Sequence, residues 1–239
     1  MKSIPRTWKL ILGARKTLSS NITNDIILSY ISGLYENDNK QLIELRDFAE
    51  KNKVPIILKD TEGLLIALMK LRKPTRVLEI GTAVGYSACV FSDSCGCSVT
   101  TIEADEDVAA TAEANIENLG FADKIEVLKG DARYVLAQLQ NAVLSGERQK
   151  YEIVFIDAAK SHYREFWDLS KPLLTDDSLI ICDNVLMKGM TASDDFDTRG
   201  RYKTSIRKMR EFLTYINSQE GIETCVLPVG DGVSISIIE

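Results

Sequence analysis

The stretch Arg76-Val-Leu-Glu79-Ile-Gly81-Thr-Ala-Val-Gly85-Tyr-Ser87 decides the fold of this chain. It opens as a short apolar, β-rich run, turns through two glycines and continues as a helical segment. Glycine permits a sharp turn and a close approach of backbone to ligand, because no side chain obstructs either. A tight strand-to-helix turn uses glycine for its own sake, so the pair alone does not demand a ligand. The third glycine of the dinucleotide pattern G-x-G-x-x-G is missing, and no basic cluster follows to cradle a pyrophosphate. An acid, Glu79, precedes the loop instead. Its charge suits a cofactor bearing an ammonium group better than one bearing phosphates, which leaves a dehydrogenase as the weakest reading.

Outward from this loop the rhythm is regular. From Pro74 onward, β-rich runs (Arg76–Ile80, Val99–Ile102, Ile125–Leu128, Ile153–Ile156, Leu179–Cys182) alternate with helical segments. Such alternation predicts βαβ units and a parallel sheet covered on both faces. Thr224–Pro228 and Val233–Ile238 flank a Val-Gly-Asp-Gly turn, which predicts an antiparallel closing hairpin. Upstream, residues 1–73 read as helical. Asp38–Lys51 carries Leu42, Ile43, Leu45, Phe48 and Ala49 close to a helical stripe, and Thr61–Leu71 spaces Leu64, Leu65, Leu68 and Leu71 by three and four. With no repeat and no Gly/Pro/Ser-rich linker, the expectation is one domain over 1–239. It is an α/β, doubly wound, Rossmann-like core (74–239) behind an N-terminal helical region (1–73).

Composition bounds the rest. A chain of 239 residues, 45% hydrophobic and 27% charged, is ordinary for a globular domain and buries a large core without disulfides. The five cysteines form no C-x-x-C pair and accompany a single histidine, so free thiols in a reducing compartment are expected rather than zinc ligands. No run approaches the ~20 apolar residues that cross a bilayer, and Leu10–Leu12 is too short for a signal peptide. The expected location is cytoplasmic, with no membrane partner. The net charge of −6 conceals two basic stretches without acids, Lys2 to Lys16 and Arg199 to Arg210. Each is either a solvated helix face or a surface for a polyanion.

The ends of the later strands carry polar groups in order. Glu103, at the second strand's end, is placed to accept from ribose hydroxyls. Lys129-Gly-Asp131-Ala132 follows the third, where a carboxylate reaches an adenine amino group. Each alone is a strand end with a polar cap; in this order and spacing they describe an adenosyl-cofactor pocket. The fourth strand ends in Phe155-Ile-Asp157-Ala-Ala-Lys160 and the fifth in Ile181-Cys-Asp183-Asn184. Asp157, Asp183 and Asn184 either are helix caps or converge as oxygen ligands for Mg²⁺ or another divalent cation, which keeps several waters. Lys160 is either a surface lysine at a helix start or a group that assists deprotonation. His162 reads as a structural or surface residue rather than a catalytic one.

From Val54 to the C-terminus the chain resembles the cation-dependent O-methyltransferase family that includes catechol and caffeoyl-CoA methyltransferases. Glu79-Ile-Gly81-Thr-x-x-Gly85-Tyr-Ser87, Asp157-Ala-x-Lys160 and Asp183-Asn184 carry the resemblance. Within it the chain is most similar to bacterial tRNA 5-hydroxyuridine methyltransferases, through Val54-Pro-Ile56, Phe155-Ile-Asp157-Ala-Ala-Lys160, Asp183-Asn-Val-Leu186-x-Lys188-Gly189 and Pro228-Val-Gly-Asp-Gly232. The closing hairpin likewise favours the class I methyltransferase variant of the fold. The resemblance implies S-adenosyl-L-methionine as cofactor, with Glu62, Ser87, Glu103, Asp131, Ala132 and Asp157 lining its site beside Glu79, Gly81 and Gly85. It also implies a metal on Asp157, Asp183 and Asn184, and catalytic roles for Lys160 and Asp157. A homodimer is implied by resemblance alone.

Catechol offers a metal two adjacent oxygens, and 5-hydroxyuracil does so through O5 and O4. The metal site therefore admits a small phenolic substrate or a tRNA. The basic stretch tips the expectation to tRNA, with Arg199, Arg201, Lys203 and Arg207 on the RNA backbone. The expected reaction converts 5-hydroxyuridine at the wobble position to 5-methoxyuridine. Alternatives are O-methylation of a catechol-like compound and a noncatalytic RNA- or adenosyl-binding module, which would need no metal triad. The first twenty or so residues look like an extension that binds RNA, covers a subunit interface or hangs as an arm.

Overall fold

Two asparagines set where the first helices begin. In the computed structural model, which describes residues 22, 24–35 and 37–239, Asn24 Oδ1 accepts from the Ile26 amide (2.9 Å) and opens α1 (Asp25–Ser32). Asn39 Oδ1 accepts from Gln41 (3.1 Å) and Leu42 (3.4 Å), so α2 (Lys40–Lys51) starts two residues after Asp38, the expected first residue. The next helix, α3 (Lys59–Arg72), starts earlier than Thr61, because the Leu58 carbonyl already accepts from the Glu62 amide (2.8 Å). Residues 53–58 between them are not helical, which corrects the reading of this region as helical throughout. The basic stretch from Lys2 to Lys16, with the N-terminal extension, lies outside the described residues.

The β-rich runs all become strands: β1 (Arg76–Ile80), β2 (Ser98–Glu103), β3 (Ile125–Lys129), β4 (Tyr151–Ile156), β5 (Leu174–Cys182), β6 (Ile222–Leu227) and β7 (Val233–Ile238). Their order is β3-β2-β1-β4-β5-β7-β6. The first five are parallel, and β7 runs antiparallel to both β5 and β6, as the closing hairpin predicts. Strand β5 begins well before Leu179. Leu174 pairs with Tyr151 ahead of a register shift, and the polar run Thr175-Asp-Asp-Ser178 conceals this first half in the sequence.

Helices α4 (Tyr86–Cys95), α5 (Glu106–Asn118), α6 (Ala132–Leu144), α7 (Tyr163–Ser170) and α8 (Lys203–Ile216) complete the chain. Side chains alternate between two cores. Leu78, Ile80, Val154 and Ile156 join α6, α7 and α8 on one face. Val77, Ile153 and Phe155 join α2 to α5 on the other. A slip of one residue exchanges the faces of a strand, and in β1 it would carry Glu79 away from α4. Register therefore places a functional side chain as well as the core. All five cysteines are free thiols, and no helix of the described residues is long and apolar enough to cross a membrane.

Candidate active site

Backbone hydrogen bonds join the carboxyl ends of five strands into one row. Gly81 N donates to Ile102 O (3.0 Å), Gly130 N to Glu103 O (2.8 Å), Asp157 N to Ile80 O (2.9 Å) and Asp183 N to Ile156 O (3.0 Å). Gly81 makes the row possible. Its φ is +104°, and a Cβ added there would lie 2.1 Å from the Asp157 carbonyl oxygen. Gly85, at φ +81°, is the left-handed residue that opens α4.

On the β1–β3 side the acids are held by fixed donors. Glu79 is fully buried and accepts from Ser87 Oγ and from Thr101 Oγ1 (2.5 Å). Burial pushes its carboxyl up to about 8, although both hydroxyls pull the other way. Glu103 accepts from the amides of Ala83 (3.0 Å), Ala104 (2.9 Å) and Asp105 (3.1 Å), which ties the glycine loop to the end of β2. Asp131 caps α6 through the Arg133 amide (2.9 Å), and the Arg133 guanidinium grips its carboxylate and lowers it to about 2. Ala132 is the buried first residue of α6. Glu62 stands apart, on α3. It pairs with Arg46 and accepts from Tyr86 OH (3.0 Å), the residue before Ser87. Its link to the loop runs through that tyrosine.

On the β4–β5 side the charges are less well matched. The Lys160 ammonium donates to Asp157 Oδ1 (2.8 Å), Asn184 Oδ1 (2.7 Å) and Tyr163 OH (2.8 Å). The three expected metal ligands and Lys160 are thus brought together. Asp183 is buried; one carboxylate oxygen accepts from the Asn184 amide (2.6 Å), and Oδ2 has no hydrogen-bond partner. Burial, and then the neighbouring Asp157, holds this carboxyl well above the usual carboxylate range. Among the described residues no three His, Cys, Asp or Glu side chains form a metal-holding group; the set is two carboxylates and an amide. His162 is peripheral, 3.4 Å from Glu165, with its ring tilted 46° to that of Phe166 at a centroid distance of 5.9 Å.

Three further contributors are not singled out by the sequence. Tyr163, beside the conspicuous His162, is wholly buried with its hydroxyl on Lys160; the three-residue spacing from Lys160, one helical turn, was the available signal. Asp231 takes the Lys188 amide, while Leu186 N and Val185 N donate to the carbonyls of Asp231 (3.0 Å) and Gly232 (2.9 Å). Asp60 Oδ2 accepts from Gly230 N (2.7 Å), so α3 anchors the turn that braces the loop after Asn184. Nothing local in sequence announces a contact across that separation.

The basic stretch divides in two. Arg199, Arg201, Lys203 and Arg207 are exposed. Lys208 Nζ instead donates to Ser161 O (3.1 Å), and Arg210 donates to Thr191 O (2.8 Å) and Met190 O (3.1 Å). These two fasten α8 to the Lys160 turn and to the loop after β5.

A family model described as O-methyltransferase matches residues 32–237. A caffeoyl-CoA O-methyltransferase of Populus kitakamiensis is 27% identical over 94% of this chain and 97% of its own. A Staphylococcus aureus structure assigned to the caffeoyl-CoA O-methyltransferases is 30% identical, superposes with a TM-score of 0.81 and is matched over 90% of this chain and all of that one. An O-methyltransferase from Bacillus cereus, solved in complex with SAH, shares the fold at TM-score 0.76 and 23% identity, over 90% of this chain and 97% of its own.

Proposed function

Because the chain belongs to the O-methyltransferase family, we propose that it moves a methyl group from S-adenosylmethionine to one of two adjacent oxygens, those of 5-hydroxyuridine at the tRNA wobble position. The observation that carries the RNA reading is the exposed set Arg199 and Arg201, just before α8, with Lys203 and Arg207 on α8, a helix fastened by Lys208 to the turn that bears Lys160. RNA recognition uses such charges on phosphates while a target base is splayed into a pocket. The cofactor's ammonium is matched by the Glu79 side of the row, and its adenosyl part by Glu103, Asp131 and Ala132. The names of the caffeoyl-CoA relatives favour a second reading, a small phenolic acceptor.

Transfer is an in-line displacement: the acceptor oxygen forms the new C–O bond as the C–S bond breaks and the sulfonium leaves as a neutral thioether. The chain's task is to aim the oxygen and remove its proton. Lys160 Nζ is the group we assign to take that proton, which it does only as the neutral amine, after the ammonium has given one of its three protons to solvent and the acceptor of that proton has been released. Asp157, Asp183 and Asn184 would hold a Mg²⁺ ion. The unpartnered, buried Oδ2 of Asp183 and the all-oxygen donor set fit such an ion. When bound it supplies positive charge that stabilises the deprotonated acceptor.

Purified protein with S-adenosylmethionine and Mg²⁺, given tRNA containing 5-hydroxyuridine or a catechol, decides between the readings by nucleoside and small-molecule mass spectrometry. Formation of 5-methoxyuridine is expected. Turnover of the catechol alone would replace the tRNA reading with the phenolic one.

A further inference from the structure

Tyr163 is the least explained polar group near the reaction centre. It begins α7, its ring is fully buried, and it meets Phe212 of α8 edge-on, with centroids 5.8 Å apart at 89°. Its hydroxyl lies 2.9 Å from Asp183 O and 3.3 Å from Ile156 O, so its single proton is committed to a backbone carbonyl. Toward the Lys160 ammonium, 2.8 Å away, it can therefore act only as acceptor. The ring adds a second attraction, with Nζ 5.1 Å from the centroid.

We propose that Tyr163 is a positioning residue that sets where Lys160 Nζ stands relative to Asp157 and Asn184. This rests on the reading of Lys160 as the proton-accepting group. A lysine ends in a flexible four-carbon stem and rotatable donors, and Lys160 itself sits on a single turn of 3-10 helix (Lys160–His162). Asp157 and Asn184 come from two different strand ends and define only two of its three directions. The tyrosine hydroxyl supplies the third, and it is fixed at both ends: its ring against Phe212, its proton on the carbonyl of Asp183. Because α8 also holds the Ser161 carbonyl through Lys208, the Lys160 turn is gripped from the same helix at two points.

The test uses full-length, metal-free enzyme and two readouts. Acylation of Lys160 by an amine-reactive ester, measured by peptide mass spectrometry against the exposed Lys51, reports how firmly Nζ is held. Tyr163→Phe should raise that ratio by about threefold or more, since one of three acceptors is gone. With Mg²⁺ restored, kcat for methyl transfer should fall about ten- to a hundredfold, while KM for S-adenosylmethionine stays within about twofold. Should Tyr163→Phe fail to fold, 4-aminophenylalanine at this position keeps a donor for the Asp183 carbonyl but offers a poor acceptor, and the same changes are expected. A labelling ratio within about twofold of the wild type, or a raised ratio with unchanged kcat, overturns the proposal. If the wild type methylates neither acceptor, the functional reading fails, and the labelling ratio alone decides whether Tyr163 holds Lys160.

Discussion

The two halves of the crevice solve opposite problems. On the β1–β3 side every acid has fixed partners: Glu79 has two hydroxyls, Glu103 three amides, and Asp131 a helix start and a guanidinium. On the β4–β5 side Asp157 and Asp183 crowd one another around a single ammonium, and Asp183 keeps one oxygen without a partner. The first half is a finished cradle, whereas the second keeps a buried, incompletely satisfied carboxyl whose ionisation burial and Asp157 oppose. A cradle suits a cofactor bound the same way in every turnover. A carboxyl with an oxygen left open suits a cation and a proton that come and go.

Gly81 joins the halves, and its loss should have the largest effect. In Gly81→Ala the new Cβ cannot share space with the Asp157 carbonyl 2.1 Å away, and φ +104° is strained for any other residue. Strain and displaced backbone together should cost about 3 kcal/mol or more, with loss of cofactor binding by calorimetry and of all turnover. A variant of wild-type stability and affinity would show that the halves are not joined there.

Asp183→Asn should separate them. It removes a buried, half-satisfied carboxyl whose ionisation burial opposes, so the metal-free protein should gain about 1–2 kcal/mol at neutral pH, while methyl transfer falls about a thousandfold or more. The sign follows from linkage. A carboxyl raised in the folded state makes stability fall as pH rises above its unfolded value, and asparagine removes that slope. Denaturation at neutral pH that finds Asp183→Asn less stable than wild type would mean that the charge is satisfied in a way the geometry does not reveal.

The finished half was also the legible half. Gly81, Gly85, Glu79 and Glu103 lie within one βαβ unit, where strand ends and turn glycines are local signals. Glu79, Gly81 and Glu103 stand at the row and Gly85 opens the helix beside it, whereas Glu62 reaches the loop only through Tyr86. Asp157, Asp183 and Asn184 were legible as strand ends, but their state was not. Lys160 bridging two of them, and the orphan oxygen, depend on Tyr163 and on burial. The brace from Asp60 to Gly230 and Asp231 joins the start of the fold to its end, and no periodicity encodes such a contact. Likewise the run Arg199–Arg210 reads as uniformly basic, yet a helix has an inner side, and Lys208 and Arg210 spend their charge there.

Glu79 gives a pH test of the cradle. Its carboxyl, held at about 8 by burial, is protonated in the empty enzyme at neutral pH and must ionise to meet an ammonium. Cofactor affinity should therefore rise about tenfold from pH 6 to pH 7, with uptake of close to one proton by the buffer at pH 7. In the empty enzyme the same group makes stability decline as pH climbs from about 4.5 toward about 8, because the folded state holds the proton longer. Glu79→Gln should flatten both dependences and weaken binding about a hundredfold. Binding by wild type that releases no proton across buffers of different ionisation enthalpy would assign the ammonium to another partner.

The smallest effect belongs to the outer rim, and it bears on the substrate rather than on the chemistry. Arg201, Lys203 and Arg207 are exposed, and Arg207 already pairs with Glu211 at 2.7 Å, an i,i+4 pair weak enough to be exchanged for a phosphate. Replacing all three with Gln should raise KM for tRNA about tenfold and flatten its dependence on salt, since each phosphate contact releases counterions. Turnover of a catechol should stay within about twofold, because no chemical group has moved. Equal losses on both acceptors would place these side chains inside the acceptor half itself. An unchanged KM for tRNA would leave α8 as a structural helix whose work is done by Lys208 and Arg210.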